Sequence, residues 1–335
     1  MTEQRAPAAI VEMADARRAA RGRRDWAEAD RLRAAIEAAG WRVVDRGTAY
    51  RLAPAHPPTV VQGGQVRYGR AEDVPTRLDE APVGLASIVI VATDWPEDVS
   101  RALGHVAGNA PEGTQVVIVA NGPSMEQAAT LEVVDAVDPG APGVRTDVVW
   151  LSARLGHATA VNAGLRRTSA AVCILLDPSV EPTGDFVTPL VAALDDPTVA
   201  VAGGFGIVSG DLRRFEAAPA GDVDAVEAYC MAFRRADVRA RGPLDEKFAF
   251  YRNLDIWWSL VLRDEGEGHV PRRALALDLL LLRHVHRGFT SLPEDEVARL
   301  SKRNFFRILD RFRDRPDLLV AGPLGRQASD RPSAT

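Results

Sequence analysis

The chain has 335 residues, 46% of them hydrophobic and 26% charged, with a formal net charge of −5. This is a globular composition, long enough for two domains or for one large domain with an appendage. The acidic balance argues against a general nucleic-acid binder, though it leaves room for a local basic patch. Two cysteines, Cys173 and Cys230, provide neither a disulfide framework nor a zinc-type set. The N-terminus shows no apolar h-region. The most apolar run, residues 274–282, is about half a bilayer span as a helix and carries Asp278, so it reads as a buried strand or short helix. A soluble, cytoplasmic protein without a transmembrane segment is expected.

In chain order, the spacing of Val11, Met13 and the alanines predicts a helix over residues 8–21. A second helix starts after Asp25, a good N-cap, and ends at Gly40, a good residue just past a helix. Trp26, Ala29, Leu32 (or Arg33) and Ile36 fall on one of its faces. Residues 41–45 and 48–52, joined by Arg46-Gly47, read as a hairpin. Residues 1–53 hold 11 Arg against 8 Asp plus Glu. That excess suits RNA phosphates; the alternatives are a solvated face paired with Glu28, Asp30 and Glu37, or a protein-docking surface. Residues 54–85 are rich in proline and glycine and read as a linker, with one short strand over 62–68. Residues 86–318 form the main domain. Residues 319–335 are polar and read as a disordered tail.

Within the main domain, strands are expected at 87–91, 116–120, 147–151, 171–176, 198–202 and 225–233. Helices are expected from Glu97, over 159–168 and after Pro182. This alternation predicts an α/β sheet covered by helices on both faces. The run Ala171-Val-Cys-Ile-Leu-Leu176 is apolar throughout, as in a strand buried on both sides. It ends in Asp177. In open α/β sheets the ends of such strands line the ligand crevice, where a carboxylate can hold a ribose hydroxyl or a metal on a diphosphate. Starting a turn is the other role open to Asp177.

Four further stretches accompany it: Ala86–Asp94; Val116–Gly122; Arg154-Leu-Gly156-His followed by Asn162-Ala-Gly164; and Phe248–Arg263. In this order and spacing the set resembles the family 2 glycosyltransferases over about residues 86–312. The resemblance implies the GT-A fold, a mixed and mostly parallel sheet with helices on both faces, preceded here by a small helix–helix–hairpin domain. It also implies transfer, with inversion, of a sugar from a nucleotide-diphospho-sugar donor to an acceptor that the sequence does not identify. A second resemblance covers residues 9–52. Arg24-Asp25-Trp26, Asp30, Arg33 and Gly40 through Thr48 look like the C-terminal appendage of cysteinyl-tRNA synthetases. It implies an RNA or protein contact but no aminoacylation, because the synthetase's active domain is missing.

The family resemblance assigns the donor site to Thr93, Asp94, Asn121, Arg154, Gly156, Asn162, Asp177 and Ser179. Asn121 stands where the family usually has a carboxylate; its amide can still bond a base or ribose. Arg154 suits phosphate as a two-pronged donor. Gly156 and Gly164 permit close backbone approach. The cofactor implied is Mg²⁺ or Mn²⁺, but Ser179 replaces the second acid of the metal motif and is a poor ligand for a hard cation. Glu181, His284 and His286 are the candidate replacements beside Asp177. If extended, His284 and His286 share one side. For catalysis the matching stretch is Arg252-Asn253-Leu254-Asp255. Asn253 stands at the expected base position, and Asp255 is the nearest carboxylate, its alternative role being a helix cap. Trp257 is the candidate floor for an acceptor sugar, while Trp258 fits the core better. The competing readings are a degenerate transferase that binds nucleotide sugar without turnover, and an RNA-associated protein acting through residues 9–52.

Overall fold

The structure, a computed structural model, describes residues 6–47, 49–92, 94–136 and 144–320. The chain divides into two compact units, Met1–Val60 and Val61–Thr335.

The first unit packs α1 (Ala8–Gly22) and α2 (Trp26–Ala38) beside a hairpin of β1 (Trp41–Arg46) and β2 (Ala49–Pro54). Asp25 caps α2 by accepting the Glu28 N–H at 3.1 Å. Ile10, Ala14, Ile36 and Trp41 form its small core. The face expected for α2 holds for Ala29, Leu32 and Ile36, which are buried, but Trp26 is 58% exposed because it opens the helix, beyond the core. Arg17 and Arg21 both pair with Asp45, which fastens α1 to the hairpin. Arg31 and Arg33 pair with Glu28 and Glu37 along the α2 surface.

The second unit begins with a small hairpin, β3 (Val60–Gln62) and β4 (Gln65–Arg67). The stretch expected as a linker is anchored over its second half. Ala71 and Val74 are buried, and the Val74 carbonyl accepts from Arg166 Nε at 2.7 Å. The main sheet follows: β5 (Ala86–Ala92), α3 (Pro96–Asn109), β6 (Thr114–Asn121), α4 (Met125–Asp135), β7 (Arg145–Leu151), α5 (His157–Leu165) and β8 (Val172–Leu176). β6 lies parallel between β5 and β7, and β8 lies parallel on the other edge of β5. The chain therefore steps outward from β5 and returns to its opposite side. Such a reversal opens a crevice at the C-terminal ends of β5 and β8.

Side chains alternate across these strands, as the two-residue strand period requires. Val89, Val117 and Val119 face the core that contains α5, while Ile88, Ile90 and Ile118 face the one containing Val99 and Val106 of α3. Helix α5 lies very close to the sheet. A Cβ on Gly164 would sit 2.5 Å from Val89 Cγ1, so only glycine fits.

After β8 come β9 (Val180–Pro182), α6 (Val187–Asp195), β10 (Val199–Gly203), β11 (Gly206–Val208), β12 (Glu216–Ala218), β13 (Gly221–Val223), β14 (Ala225–Val226), β15 (Cys230–Arg234) and α7 (Arg235–Arg241). Then α8 (Leu254–Arg263), β16 (Arg273–Ala276), β17 (Leu281–Arg283), α9 (Arg287–Thr290) and α10 (Glu294–Phe312) complete the order. The sheet order is β13-β16-β10-β15-β8-β5-β6-β7, with β15 antiparallel to both neighbours. β12, β11 and β14 form a small separate sheet, and β17 pairs with β9.

Two expected elements are divided. The run at 274–282 splits between β16 and β17, with alternate leucines packed inward and Leu280 and Leu282 half exposed or more. The strand expected over 225–233 breaks between β14 and β15, because residues 227–229 turn toward a cleft. Beyond α10, Leu319 is buried and the Val320 N–H bonds Asp224 Oδ1 at 2.6 Å. The rest of the expected tail, 321–335, lies outside the described residues. No helix among the described residues is long and apolar enough to cross a membrane.

Candidate active site

A cleft of about 980 Å³ opens at the ends of β5 and β8, walled by β8, residues 227–229, the start of α8 and α10. That volume suits a ligand of nucleotide-sugar size. Asp177, Asn253, Asp255 and His286 line it together, although they are spread over more than a hundred positions of sequence.

At one end stands Asp177, placed by β8. Its N–H donates to the Tyr229 carbonyl at 3.1 Å, which fixes the turn after the strand. Oδ1 accepts from both the N–H and the hydroxyl of Ser179. Oδ2 lies 3.2 Å from His286 Nε2. Burial pushes the Asp177 carboxyl up; the His286 and Ser179 bonds outweigh this and hold it below its ordinary value. Burial likewise opposes charge on His286, but Asp177 outweighs that and raises the imidazole. Tyr251 stacks on the His286 ring, centroids 4.5 Å apart, and Tyr229 meets it edge-on at 6.0 Å. Nearby His157 is pushed down to about 4 by burial, so it is neutral at neutral pH.

At the other end stands Asp255, in the first turn of α8. Its Oδ1 accepts the Ile256 N–H at 2.9 Å and its Oδ2 the Ala228 N–H at 3.3 Å. Burial dominates here, and the carboxyl is pushed up. Glu227 stands beside it, pushed up first by its own burial and then by the Asp255 charge. Arg283 reaches Glu227 at 3.5 Å and covers the Tyr229 ring at 4.7 Å. A partly buried carboxyl with a raised pKa is suited to accept and return a proton near neutral pH.

Several residues expected in the site have other partners. Asn121 turns its amide to Leu155, donating to its carbonyl at 3.1 Å and accepting its N–H at 2.7 Å. Asn162 does the same for Leu244, with both bonds at 2.9 Å. These amides act as extra peptide units that clamp loops under the sheet. Both are buried and lie outside the cleft lining, and Asn162 also donates to Glu246 Oε1 at 3.1 Å. Gly156 does allow a close approach, but to Ala249, whose Cα would lie 2.9 Å from an added Cβ. Arg154 pairs with Asp94 at 2.6 Å, outside the cleft lining. Thr93 lies outside the described residues.

Asn253, which stands where the family's carboxylate is expected, lines the cleft. It adopts a left-handed backbone, φ 68°, which Asn tolerates better than most residues, and its amide donates to the Ser301 carbonyl at 3.1 Å. It anchors α10 and offers no proton acceptor. Trp257, the candidate sugar floor, is 7% exposed, packs on Phe248 and lies outside the cleft lining. Trp258 is fully buried, edge-on to Phe233.

The two histidines do not act together. The β17 ladder ends at Arg283, so residues 284–286 lose the strand period. His284 turns to Glu181 at 2.8 Å, and Glu181 also meets His105 at 3.4 Å. Glu181 is thereby drawn away from Asp177. Among the described residues no group of three or more His, Cys, Asp or Glu side chains is arranged to hold a metal ion by itself. Asp177 is a donor of suitable type for Mg²⁺ or Mn²⁺, and the nitrogen of His286 beside it suits a transition metal such as Mn²⁺ better than Mg²⁺. They fit a cation that takes its remaining ligands from a diphosphate and water, not a self-sufficient protein cage.

Sequence reasoning passed over Glu227, Tyr229, Tyr251 and Arg283. Tyr251 and Asp255 share one short segment, which is a usable signal. Glu227 and Tyr229 were hidden inside a pattern that reads as unbroken strand.

Residues 87–243 match the model of the family described as Glycosyl transferase family 2. The match begins after the first unit and does not bear on it. None of the curated proteins matches the chain. Among solved structures the chain is similar to GalNAc-T7 with UDP, GalNAc and Mn²⁺, at 14% identity and TM-score 0.55, over 68% of this chain and 48% of that one. It thus spans about half the length of that protein. It is also similar to the mannosyltransferase PcManGT from Pyrobaculum calidifontis in complex with GDP-Man and Mn²⁺, at 16% identity and TM-score 0.46, over 65% and 62% of the two chains. For S. aureus TarS 1–349 in complex with UDP the values are 12% and 0.46, over 69% and 73%. At such identity the likeness to GalNAc-T7 is one of fold, and with the mixed, mostly parallel sheet between helical layers it makes the fold of this chain GT-A-type.

Proposed function

We propose that the protein is a glycosyltransferase that moves a sugar from a nucleotide-diphospho-sugar to an acceptor hydroxyl with inversion. One observation carries the reading: a single cleft at the sheet's reversal point holds a carboxylate kept ionised, Asp177, and a second pushed up by burial, Asp255. The match of residues 87–243 supports the reaction class.

In this reading Asp177 faces the nucleotide end of the donor. Asp177 and His286 would hold a divalent cation brought in with the diphosphate, and that cation would neutralise the leaving group's charge. Asp255 accepts the acceptor hydroxyl's proton as its oxygen forms a bond to the anomeric carbon. The bond from that carbon to the diphosphate oxygen breaks, and the nucleoside diphosphate leaves with the electron pair. The test is a panel of UDP-, dTDP- and GDP-sugars, measured by thermal shift and by release of nucleoside diphosphate. At least one should raise the melting temperature and be turned over. If none shifts the wild type, the donor site is wrong.

A second reading is favoured by the Ser179 hydroxyl, which occupies Asp177 where a metal-binding acid was expected. It is a nucleotide-sugar-binding protein without turnover. A thermal shift with no diphosphate release in any acceptor mixture would establish it.

A further inference from the structure

We propose that the acceptor carries a carboxylate or a phosphate, bound by Arg213, Arg214 and Lys302 at the Asp255 end of the cleft. This rests on the transferase reading above. All three cations line the cleft and are exposed. Among the described residues none of them has a carboxylate within ion-pair distance; the Lys302 ammonium instead lies 5.9 Å from the Phe306 ring centre. By contrast Arg283, also in the cleft, is matched to Glu227.

The anchoring of Lys302 sets it at the Asp255 end of the cleft, and Arg213 and Arg214 line the same cleft from the small sheet. The Asn253 amide holds the Ser301 carbonyl at 3.1 Å, so the turn of α10 bearing Lys302 is fastened to the entry of α8, two residues before Asp255. Arg213 and Arg214 donate their backbone N–H groups to Asp211 Oδ1 at 2.8 and 3.1 Å, which fixes the turn before β12. β12 pairs with β11 through Val208↔Glu216, and β11 pairs with β14, which leads from the Gly206 end of β11 into Glu227 and Ala228. The Ala228 N–H is the one that holds Asp255. Lys302 is therefore held near the carboxylate that would activate the acceptor, and Arg213 and Arg214 reach the same cleft from the turn before β12.

The charge pattern gives them a purpose. The inner carboxylates Asp177 and Glu227 have cationic partners of their own in His286 and Arg283, so the rim cations are not spent on them. Unpaired cations at the rim repel one another until an anion arrives, and an arginine pair offers forked donors matched to carboxylate or phosphate oxygens. A neutral acceptor would leave all three idle.

The experiment uses the full chain loaded with UDP. Binding of glucose, glucuronate and glucose 6-phosphate is measured by calorimetry for the wild type and for the variant Arg213→Ala/Arg214→Ala/Lys302→Ala. At least one of the two acidic sugars should bind the wild type while glucose binds much more weakly, and the variant should lose on the order of tenfold or more in that affinity. UDP affinity should be unchanged, which also shows the variant folded. The better of the two sugars distinguishes carboxylate from phosphate. The proposal is overturned if both acidic sugars bind no better than glucose, if the variant binds them like the wild type, or if the variant loses UDP instead, since the cations then serve the donor. If UDP fails to bind the wild type while an acidic sugar binds through these cations, the anion site stands and the transferase reading falls.

Discussion

Asp177 and Asp255 sit in one cleft and are chemically the same group, yet their surroundings drive them in opposite directions. Asp177 is buried but answered by an imidazole, a hydroxyl and a backbone N–H, so it stays charged. Asp255 is half-buried, and its backbone N–H donors and the charge of Arg252 do not offset that burial, so its proton is held more tightly. The difference shows that burial alone does not assign a carboxylate its role; a cation hydrogen-bonded to the group, as His286 is to Asp177, offsets burial, whereas the pull of Arg252 on Asp255 does not. A charged Asp177 suits ligand or cation binding, and a proton-retaining Asp255 suits acid–base work.

The largest effect that tests this contrast is on turnover. Asp255→Asn should lower the transfer rate by about 10²–10⁴-fold with nucleotide binding intact, measured on one sample. Normal turnover would remove Asp255 as the base. Next, Asp177→Ala should abolish the nucleotide-induced rise in stability, about 2.7 kcal/mol at a ligand concentration a hundredfold above its Kd. A variant that keeps the shift would leave Asp177 with a purely structural turn. Third come the two amide clamps. Asn121→Ala and Asn162→Ala each strand buried backbone groups, at a cost of about 1–3 kcal/mol in urea unfolding. Near-zero cost at either site would mean that its loop is held by other means.

The smallest and sharpest test is the sign of pH dependence, at about 1.4 kcal/mol for each unit by which a pKa moves. Asp177, held below its ordinary value, contributes stability present above the ordinary carboxylate pKa and lost as pH falls through its lowered one. Asp255, pushed above its ordinary value, contributes stability present below that value and lost as pH rises through its raised one. Melting curves of Asp177→Asn and Asp255→Asn should therefore diverge from wild type on opposite sides of the carboxylate range. The rate should climb through the raised Asp255 value, shared with Glu227 as a coupled pair. Parallel deviations in the two variants would erase the contrast.

Much of the fold was legible because doubly buried strands leave long apolar runs, and such runs end where the crevice opens. Ala86–Ala92 and Val172–Leu176 carried that signal, and Asp177 followed from it. Asp255 was legible as an acid near the start of a helix. What failed was partner choice. The sequence does not say whether an asparagine amide will meet a ligand or a loop, and Asn121, Asn162 and Asn253 all met backbone. That outcome depends on Leu155, Leu244 and Ser301, which only packing brings near. Glu227 and Tyr229 were hidden for a related reason: alternation in Ala225–Phe233 satisfies a strand, and the break arises from bonds to Phe205, Asp177 and Asp255 far along the chain.

The Asn121 clamp also bears on how the molecule ages. Asn-Gly pairs are chemically fragile, because the glycine nitrogen can attack the side-chain amide and convert Asn to Asp or its isomer. Here Asn121 precedes Gly122, yet its amide is gripped at both ends by Leu155, and the Gly122 N–H is held by the Ala120 carbonyl at 3.1 Å. The folded chain therefore shields a site that its unfolded form exposes. On prolonged incubation, peptide mapping should find deamidation at Asn121 in urea and not in native buffer. A molecule that did convert would place a carboxylate against the Leu155 carbonyl, so damage there would be read out as loss of the fold around the cleft.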